Sequence, residues 1–328
     1  MAPRIFVTQP IPRKALARLR EHGSVELNAD SAHIITKPEL MAALRQSDYL
    51  LCLLHDTVDA EVIDASPNLK LIASMATTPA GVDVAAATAR RIPVTRNPPL
   101  VTEATADLHW ALLLAVARRV VEADRALRSG LFPGGQSIHF LGGEVNGKTL
   151  GIVGLGAIGE AVARRAKGFG MRILYTKRHR LEERREFELG VAYRNLDEIL
   201  SESDFVSIHV TLSPQTVHLI GERELRRMRP SAYLVNTARG PIVDEKALVR
   251  ALQEQRIAGA ALDVYEHEPK VEPGLIELRN VVLTPHLGSA ALDTRERLAG
   301  FAVDNVIAVI EGRQPPNLYN PEIYGTLS

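Results

Sequence analysis

Residues 151–160 read Gly-Ile-Val-Gly-Leu-Gly-Ala-Ile-Gly-Glu, and this stretch constrains the fold more than any other. An apolar run at 149–153 leads into Gly154, and Ile158, Ala161, Val162 and Arg165 follow at helical spacing. A second apolar run at 171–176 closes the unit. A strand that turns on glycine into a helix and returns as a second strand is a βαβ unit carrying G-x-G-x-x-G. Gly154 permits the tight turn, Gly156 lets backbone approach a pyrophosphate, and Gly159 lets the helix pack close to the strand. The anion rests on N–H groups that the first helical turn leaves unpaired. Gly154, Leu155, Gly156, Ala157, Ile158 and Gly159 are therefore candidate contacts of a dinucleotide.

Strand and helix patterns alternate through the rest of the chain, which predicts parallel sheets covered by helices. Strands are expected near 5–8, 49–54 and 69–74, with helices near 13–22, 37–46 and 60–65. Pro93, Pro98 and Pro99 mark a break before one long helix, about 103–128. Its segment 110–117 is apolar on every side, so it is expected to be buried, with a second subunit as one possible cover. A glycine-rich stretch, 130–147, leads into the fingerprint. Further strands are expected at 205–210, 232–236, 259–264 and 281–285, and a last helix at about 289–312. The nucleotide unit starts near residue 100, so the N-terminal third is another domain, and only the last helix and tail remain to pair with it. The expected class is α/β, with two doubly wound parallel sheets.

Composition excludes several functions. Lys plus Arg and Asp plus Glu both number 39, so no global field favours nucleic acid or an acidic membrane. Hydrophobic content of 46% with 24% charged residues is that of a soluble globular protein. The single cysteine, Cys52, excludes an internal disulfide, suits a reducing compartment, and lies in an apolar run as a packed, inert thiol. The run 110–117 is too short to span a bilayer and no signal peptide is evident, so a cytoplasmic location is expected.

Candidate chemistry stands at strand ends, where open α/β sheets bind ligands. The strand at 232–236 runs into Thr237-Ala238-Arg239-Gly240, and the one at 259–264 into Tyr265-Glu266-His267-Glu268-Pro269. The strand at 281–285 delivers His286-Leu287-Gly288-Ser289. An arginine, a carboxylate and a histidine at three successive strand ends suit proton transfer beside a nicotinamide. Histidine gives a proton to a carbonyl as hydride arrives. A carboxylate on its other nitrogen fixes the tautomer, and a guanidinium forks onto a substrate carboxylate. Among ten histidines, His22, His33, His179 and His218 lie in polar segments, and no pair has metal-ligand spacing.

With GLGAIG, NTARGPIVDE at 236–245, DVYEHEP at 263–269 and TPHLGSA at 284–290, the chain resembles the D-isomer-specific 2-hydroxyacid dehydrogenases over essentially its whole length. The likeness is nearest to their glyoxylate/hydroxypyruvate reductase branch. It implies reduction of a small 2-oxoacid to the (R)-2-hydroxyacid by NAD(P)H. Arg239 would hold the substrate's carboxylate and keto oxygen, His286 would be the general acid, and Glu268 its partner; Glu266 and His267 would be bystanders. The resemblance further implies cofactor contacts from Val210, Thr216, Thr237, Ala238, Asp263, Gly288 and Ser289. It implies a flavodoxin-like substrate domain, 1–99 with 290–328, around a Rossmann cofactor domain at 100–289. It also suggests a homodimer built on 110–117 and the arm 130–147, with Phe132, Ile138, His139 or Phe140 reaching toward the partner's active site.

Coenzyme choice is read from residues. An NAD-type fold places Asp or Glu about twenty residues past the fingerprint to bind the ribose 2′-OH. Here the stretch is Tyr175-Thr176-Lys177-Arg178-His179-Arg180, with no acid before Glu182. Lys177 and Arg178, with Thr176 and His179 as lesser candidates, predict a preference for NADPH over NADH. The substrate loop departs from the family pattern: Thr77-Thr78 stands where a Val-Gly pair is usual. Thr77 and Thr78 are thus substrate candidates, with a hydroxyl in place of a glycine-like backbone. Two other readings share these motifs, a non-catalytic dinucleotide-sensing protein like the C-terminal-binding-protein corepressors, and a phosphite-type dehydrogenase. Formate chemistry is disfavoured because Glu268 replaces its Gln and Lys177 its Asp.

Overall fold

A computed structural model describes residues 2–135 and 138–325. Residues 136 and 137 of the glycine-rich arm lie outside the described residues. Backbone contacts divide the chain into two compact units, Met1–Leu100 with Ala290–Ser328, and Val101–Ser289.

The first unit runs β1 (Arg4–Val7), α1 (Arg13–Arg20), β2 (Ser24–Leu27), α2 (Lys37–Leu44) and β3 (Tyr49–Cys52). It continues with α3 (Ala60–Asp64), β4 (Leu71–Ser74), α4 (Val84–Ala89) and β5 (Val94–Thr95). The five strands are parallel in the order β2-β1-β3-β4-β5, the flavodoxin-like winding. Every residue of β3 and β4 is buried, as strands covered on both faces require. The helix Leu292–Ile310 packs on β3, β4 and α1. Asn97 links it to the sheet, its Nδ2 donating to the carbonyls of Met75 (2.9 Å) and Leu298 (3.0 Å). The C-terminal segment then caps β5: the Tyr319 N–H donates to Val94 O (2.7 Å), and the Val94 N–H to Asn320 Oδ1 (2.8 Å). Cys52 is buried in β3, and burial pushes its thiol pKa up, so the thiolate is suppressed.

The second unit opens with α5 (Thr102–Ala117) and α6 (Val120–Arg128), then β6 (Thr149–Val153), α7 (Ala157–Ala166), β7 (Arg172–Thr176), α8 (Glu183–Leu189) and β8 (Val191–Tyr193). It continues through α9 (Leu196–Glu202), β9 (Phe205–Ile208), α10 (Glu222–Arg227), β10 (Tyr233–Asn236) and α11 (Glu245–Gln253). It ends with β11 (Gly259–Leu262), α12 (Pro273–Ile276) and β12 (Val281–Leu283), and the helix Leu292–Ile310 of the first unit is α13. Seven parallel strands lie in the order β12-β11-β10-β9-β6-β7-β8. The chain starts at β6, winds outward to β8, then returns to the other side of β6 for β9. That reversal makes the carboxyl ends of β6 and β9 the topological switch point, where doubly wound sheets bind ligands.

Core packing follows from the apolar runs. On one face α5 and α7 cover the sheet, with Trp110 stacked on Phe169 at 4.7 Å and its indole N–H donating to Val162 O. On the other, Leu200, Leu225, Leu248 and Leu252 from α9, α10 and α11 cover β9, β10 and β11.

The expected single helix at 103–128 is two. It breaks after Ala117, where Arg119 adopts a left-handed backbone with φ of 53°. The cause lies outside the helix: the Gly143 N–H takes the Ala117 carbonyl at 2.8 Å. A Cβ on Gly142 would lie 2.2 Å from that same oxygen, so the glycine allows the close approach. Strands β9, β11 and β12 end two residues before the sequence limits, which leaves His209, Val210, Asp263, Val264, Thr284 and Pro285 in loops at the sheet's carboxyl edge.

Candidate active site

The β6–α7 turn assigns each fingerprint glycine a separate constraint. Gly154 has φ of 99°, and a Cβ there would stand 2.6 Å from the His209 carbonyl carbon and the Val210 nitrogen. A Cβ on Gly159 would lie 2.5 Å from the Gly154 oxygen. A Cβ on Gly156 would meet nothing within 4 Å. Two glycines are thus required by the protein's own packing, whereas Gly156 faces open space. Leu155 is buried beneath the turn, Ile158 is half-buried, and Gly156 and Ala157 are exposed where α7 begins. The ten-residue α7 turns its first unpaired N–H groups to that space.

Past β7, the basic residues separate into two groups. Arg180 forks onto Glu186 (2.8 and 2.9 Å), and Glu186 also accepts from the Tyr175 hydroxyl at 2.6 Å. Those bonds hold the Glu186 carboxyl below its ordinary pKa. Among the described residues Lys177 and Arg178 have no ion-pair partner; Lys177 and Thr176 are half-buried, and Arg178 and His179 are exposed.

At the other end of the edge, three adjacent strands deliver the expected catalytic residues. Asn236 closes β10 by accepting from the Ala238 N–H (3.0 Å) and donating to Arg239 O (3.0 Å), which sets the turn that exposes Arg239. A Cβ on Gly240 would lie 1.8 Å from the Tyr265 carbonyl carbon, so only glycine lets the arginine turn lie against the loop after β11. That loop is pinned by the buried Glu245, which accepts from the Glu266 N–H at 2.8 Å, and by the Tyr265 hydroxyl, which donates to Thr284 O at 2.9 Å. Glu268 accepts from the Tyr265 N–H through Oε1 (3.0 Å), and its Oε2 lies 2.7 Å from His286 Nδ1. Both side chains are 18% exposed. The ring nitrogen held by the carboxylate is therefore Nδ1, which assigns any proton delivery to Nε2. Glu266 pairs with His218, and His267 is exposed.

His286 itself has a left-handed backbone, with φ of 54°. Asp263 holds that loop: one oxygen accepts from the Leu287 N–H (2.6 Å) and the Thr284 hydroxyl (2.6 Å), the other from the Gly288 N–H (2.9 Å). Burial raises its pKa. Asp263 thus spends its carboxylate on shaping the histidine loop. Thr216 likewise spends its hydroxyl within its own turn, donating to Thr211 O at 2.8 Å and accepting from the Ser213 N–H at 2.7 Å.

Residues 110–288 match the family described as D-isomer specific 2-hydroxyacid dehydrogenase, NAD binding domain. Over 325 residues, 98% of this chain and 97% of its relative, the sequence is 50% identical to a glyoxylate reductase of Korarchaeum cryptofilum. The chain belongs to the D-isomer-specific 2-hydroxyacid dehydrogenases. It is an NAD(P)-dependent oxidoreductase. The crystal structure of the TT0316 protein from Thermus thermophilus is similar to it with a TM-score of 0.86 at 45% identity, over 96% of this chain and 99% of that one. A Sinorhizobium meliloti NADPH-dependent glyoxylate/hydroxypyruvate reductase, solved with NADP and malonate, is similar with a TM-score of 0.75 at 34% identity, over 97% of each chain.

Two features of this dehydrogenase fit a dinucleotide on structural grounds alone. The Gly156 cradle is open where a side chain would fill it, and Thr237 Oγ1 at the end of β10 is buried without a hydrogen-bond partner among the described residues. Val210, Ala238 and Ser289 are half-buried at the same carboxyl edge, and Gly288 is buried. Sequence reasoning passed over His209, Ser207 and His109, which form a buried polar chain at the switch point. The Ser207-Ile208-His209 alternation puts two of them on the same side of the chain as it leaves β9; their tie to a helix residue 98 positions away has no sequence signal. In the first unit, Thr77 and Thr78 follow β4; Thr78 is exposed and its backbone is not left-handed. Among the described residues no helix is long and apolar enough to cross a membrane.

Proposed function

We propose that this chain reduces glyoxylate or a similarly small 2-oxoacid, such as hydroxypyruvate, to its 2-hydroxyacid, with NADPH preferred over NADH. The observation that carries the reading is the His286–Glu268 pair at 2.7 Å, beside the turn that exposes Arg239, on adjacent strand ends. The names of the Korarchaeum and Sinorhizobium relatives support the substrate class. When bound, the reduced nicotinamide supplies the hydride that reaches the carbonyl carbon. Arg239 forks onto the substrate's carboxylate and keto oxygen and polarises the carbonyl. His286 donates its Nε2 proton to that oxygen, and Glu268 stabilises the ring while it is charged. One hydride and one proton thus convert the carbonyl to the alcohol.

Gly154, Gly156 and Gly159 are proposed to shape the pyrophosphate seat on the α7 N-terminus, with Thr237 donating to the cofactor and Lys177 and Arg178 meeting the 2′-phosphate. The test is coenzyme oxidation with a panel of 2-oxoacids and both coenzymes. Turnover of glyoxylate or hydroxypyruvate with higher kcat/KM for NADPH is expected. Tight dinucleotide binding without turnover of any acid would replace this reading with a sensing role.

We also propose a homodimer. Helix α6 has no buried residue, and apolar Val120, Leu127, Phe132 (76% exposed) and Ile138 (84% exposed) lie open on it and on the arm. A dimeric mass by light scattering at micromolar concentration is expected, and a monomeric mass would refute it.

A further inference from the structure

A chain of polar side chains runs through the core of the second unit, where packing alone would favour apolar ones. His109 on α5 and Ser207 on β9 are both fully buried. Ser207 Oγ lies 3.2 Å from His109 Nε2 and 2.5 Å from His209 Nε2. The two rings are 5.0 Å apart. Burial pushes the His209 pKa down to about 3 and that of His109 well below its ordinary value, so both rings are neutral at physiological pH.

One hydroxyl proton serves two ring nitrogens, so Ser207 donates to one and accepts from the other. Two observations give the same direction. A 2.5 Å separation suits an O–H donor, whereas 3.2 Å is within the range of an N–H donor. Ser207 therefore donates to His209 and accepts from His109. The opposite arrangement would also put a proton on His109 Nδ1, which is buried without a partner among the described residues. An orphaned buried N–H is rarer and costlier than an orphaned acceptor. His109 thus carries its proton on Nε2 and His209 on Nδ1.

His209 stands at the switch point. Its N–H donates to Val153 O at 2.7 Å, and its carbonyl oxygen lies 2.8 Å from where a Cβ on Gly154 would be. The residue is half-buried. Its Nδ1 has no protein partner among the described residues and is not among the sealed polar atoms. We propose that the His109–Ser207–His209 chain presets the Nδ1–H of His209 as a hydrogen-bond donor to an oxygen of the bound nicotinamide dinucleotide. His209 is the binding residue; Ser207 and His109 are positioning residues that act through it. The proposal rests on the cofactor site given above.

The first test needs no cofactor. In nitrogen-15 histidine-labelled apo protein, His209 should show the Nδ1–H tautomer and His109 the Nε2–H tautomer. Adding NADPH should shift the His209 Nδ1 resonance and slow its proton exchange. In fluorescence titrations His209→Phe should weaken NADPH and NADH alike by about 3- to 10-fold, the scale of one neutral hydrogen bond. His209→Asn, whose amide restores a donor, should recover much of that loss. Ser207→Ala should mix the tautomers of both rings and weaken binding by a smaller factor. An Nε2–H tautomer at His209 in wild type, or unchanged affinity in His209→Phe beside a binding wild type, overturns this proposal alone. A wild type that binds neither dinucleotide overturns the cofactor site and this proposal with it.

Discussion

His286 holds a backbone conformation that costs a non-glycine residue about 1–3 kcal/mol, and the bonds from Asp263 offset it. The ring's orientation is thereby set from two sides, by the strained loop beneath it and by Glu268 on Nδ1. His286→Ala should lower kcat by about two to four orders of magnitude, the range for a positioned general acid. Glu268→Gln should lower kcat less than His286→Ala does, because the ring loses the charged acceptor that stabilises it while it is protonated. An unchanged kcat in Glu268→Gln would mean that Glu268 serves only as a prop. Glycines allow a second comparison. Gly159→Ala drives a methyl into the Gly154 oxygen and should lower thermal stability of the apo protein. Gly156→Ala meets only open space, so it should leave apo stability within about 0.5 kcal/mol and reduce dinucleotide affinity instead. A stability loss at Gly156 as large as that at Gly159 would contradict the assignment of separate duties.

At the scale of elements, the turn after β7 is the segment on which the proposed coenzyme preference depends. Arg180 is taken by Glu186, so the proposed 2′-phosphate contacts fall to Lys177 and Arg178. Arg178→Ala should weaken NADPH by roughly 10- to 150-fold, one charged hydrogen bond, and barely touch NADH. Adding Lys177→Asp should reverse the preference, since a carboxylate accepts from the 2′-OH and repels the phosphate. Measured kcat/KM for both coenzymes checks this, and an equal loss of both would reduce the turn to a solvated surface. The fingerprint, β6 and the strand ends carrying Arg239, Glu268 and His286 were legible because their signals are local: glycine spacing, apolar runs and charged residues just beyond them. The break after Ala117 was not, because it is made by the Gly143 N–H from another segment. Edge strand β2, with its half-exposed Ser24–Leu27, and the two-residue β5 lack the apolar run that marks β3 and β4. His109, Ser207 and His209 escaped for the same reason as the helix break: a helix and a strand must meet before they form anything.

On the scale of the whole molecule, the first unit is made from both ends of the sequence while the second is one continuous segment. The segment 101–289, expressed alone, should therefore fold, with a cooperative thermal transition and an affinity for dinucleotide. Ending the chain at Arg313 should instead loosen the first unit, because Val94 loses Asn320 and Tyr319 and each orphaned backbone group costs about 1–3 kcal/mol. Limited proteolysis should then cut preferentially within residues 1–100, and an unchanged pattern would show that the tail is dispensable. The same layout sets the order of synthesis against the order of assembly. Strands β3 and β4 leave the ribosome early, but α13, which packs on them, follows only after Val101–Ser289 has been made. At ~5–20 residues per second that delay is roughly 10–40 s. For that interval the part of the sheet that α13 will cover waits, open, beside a growing chain.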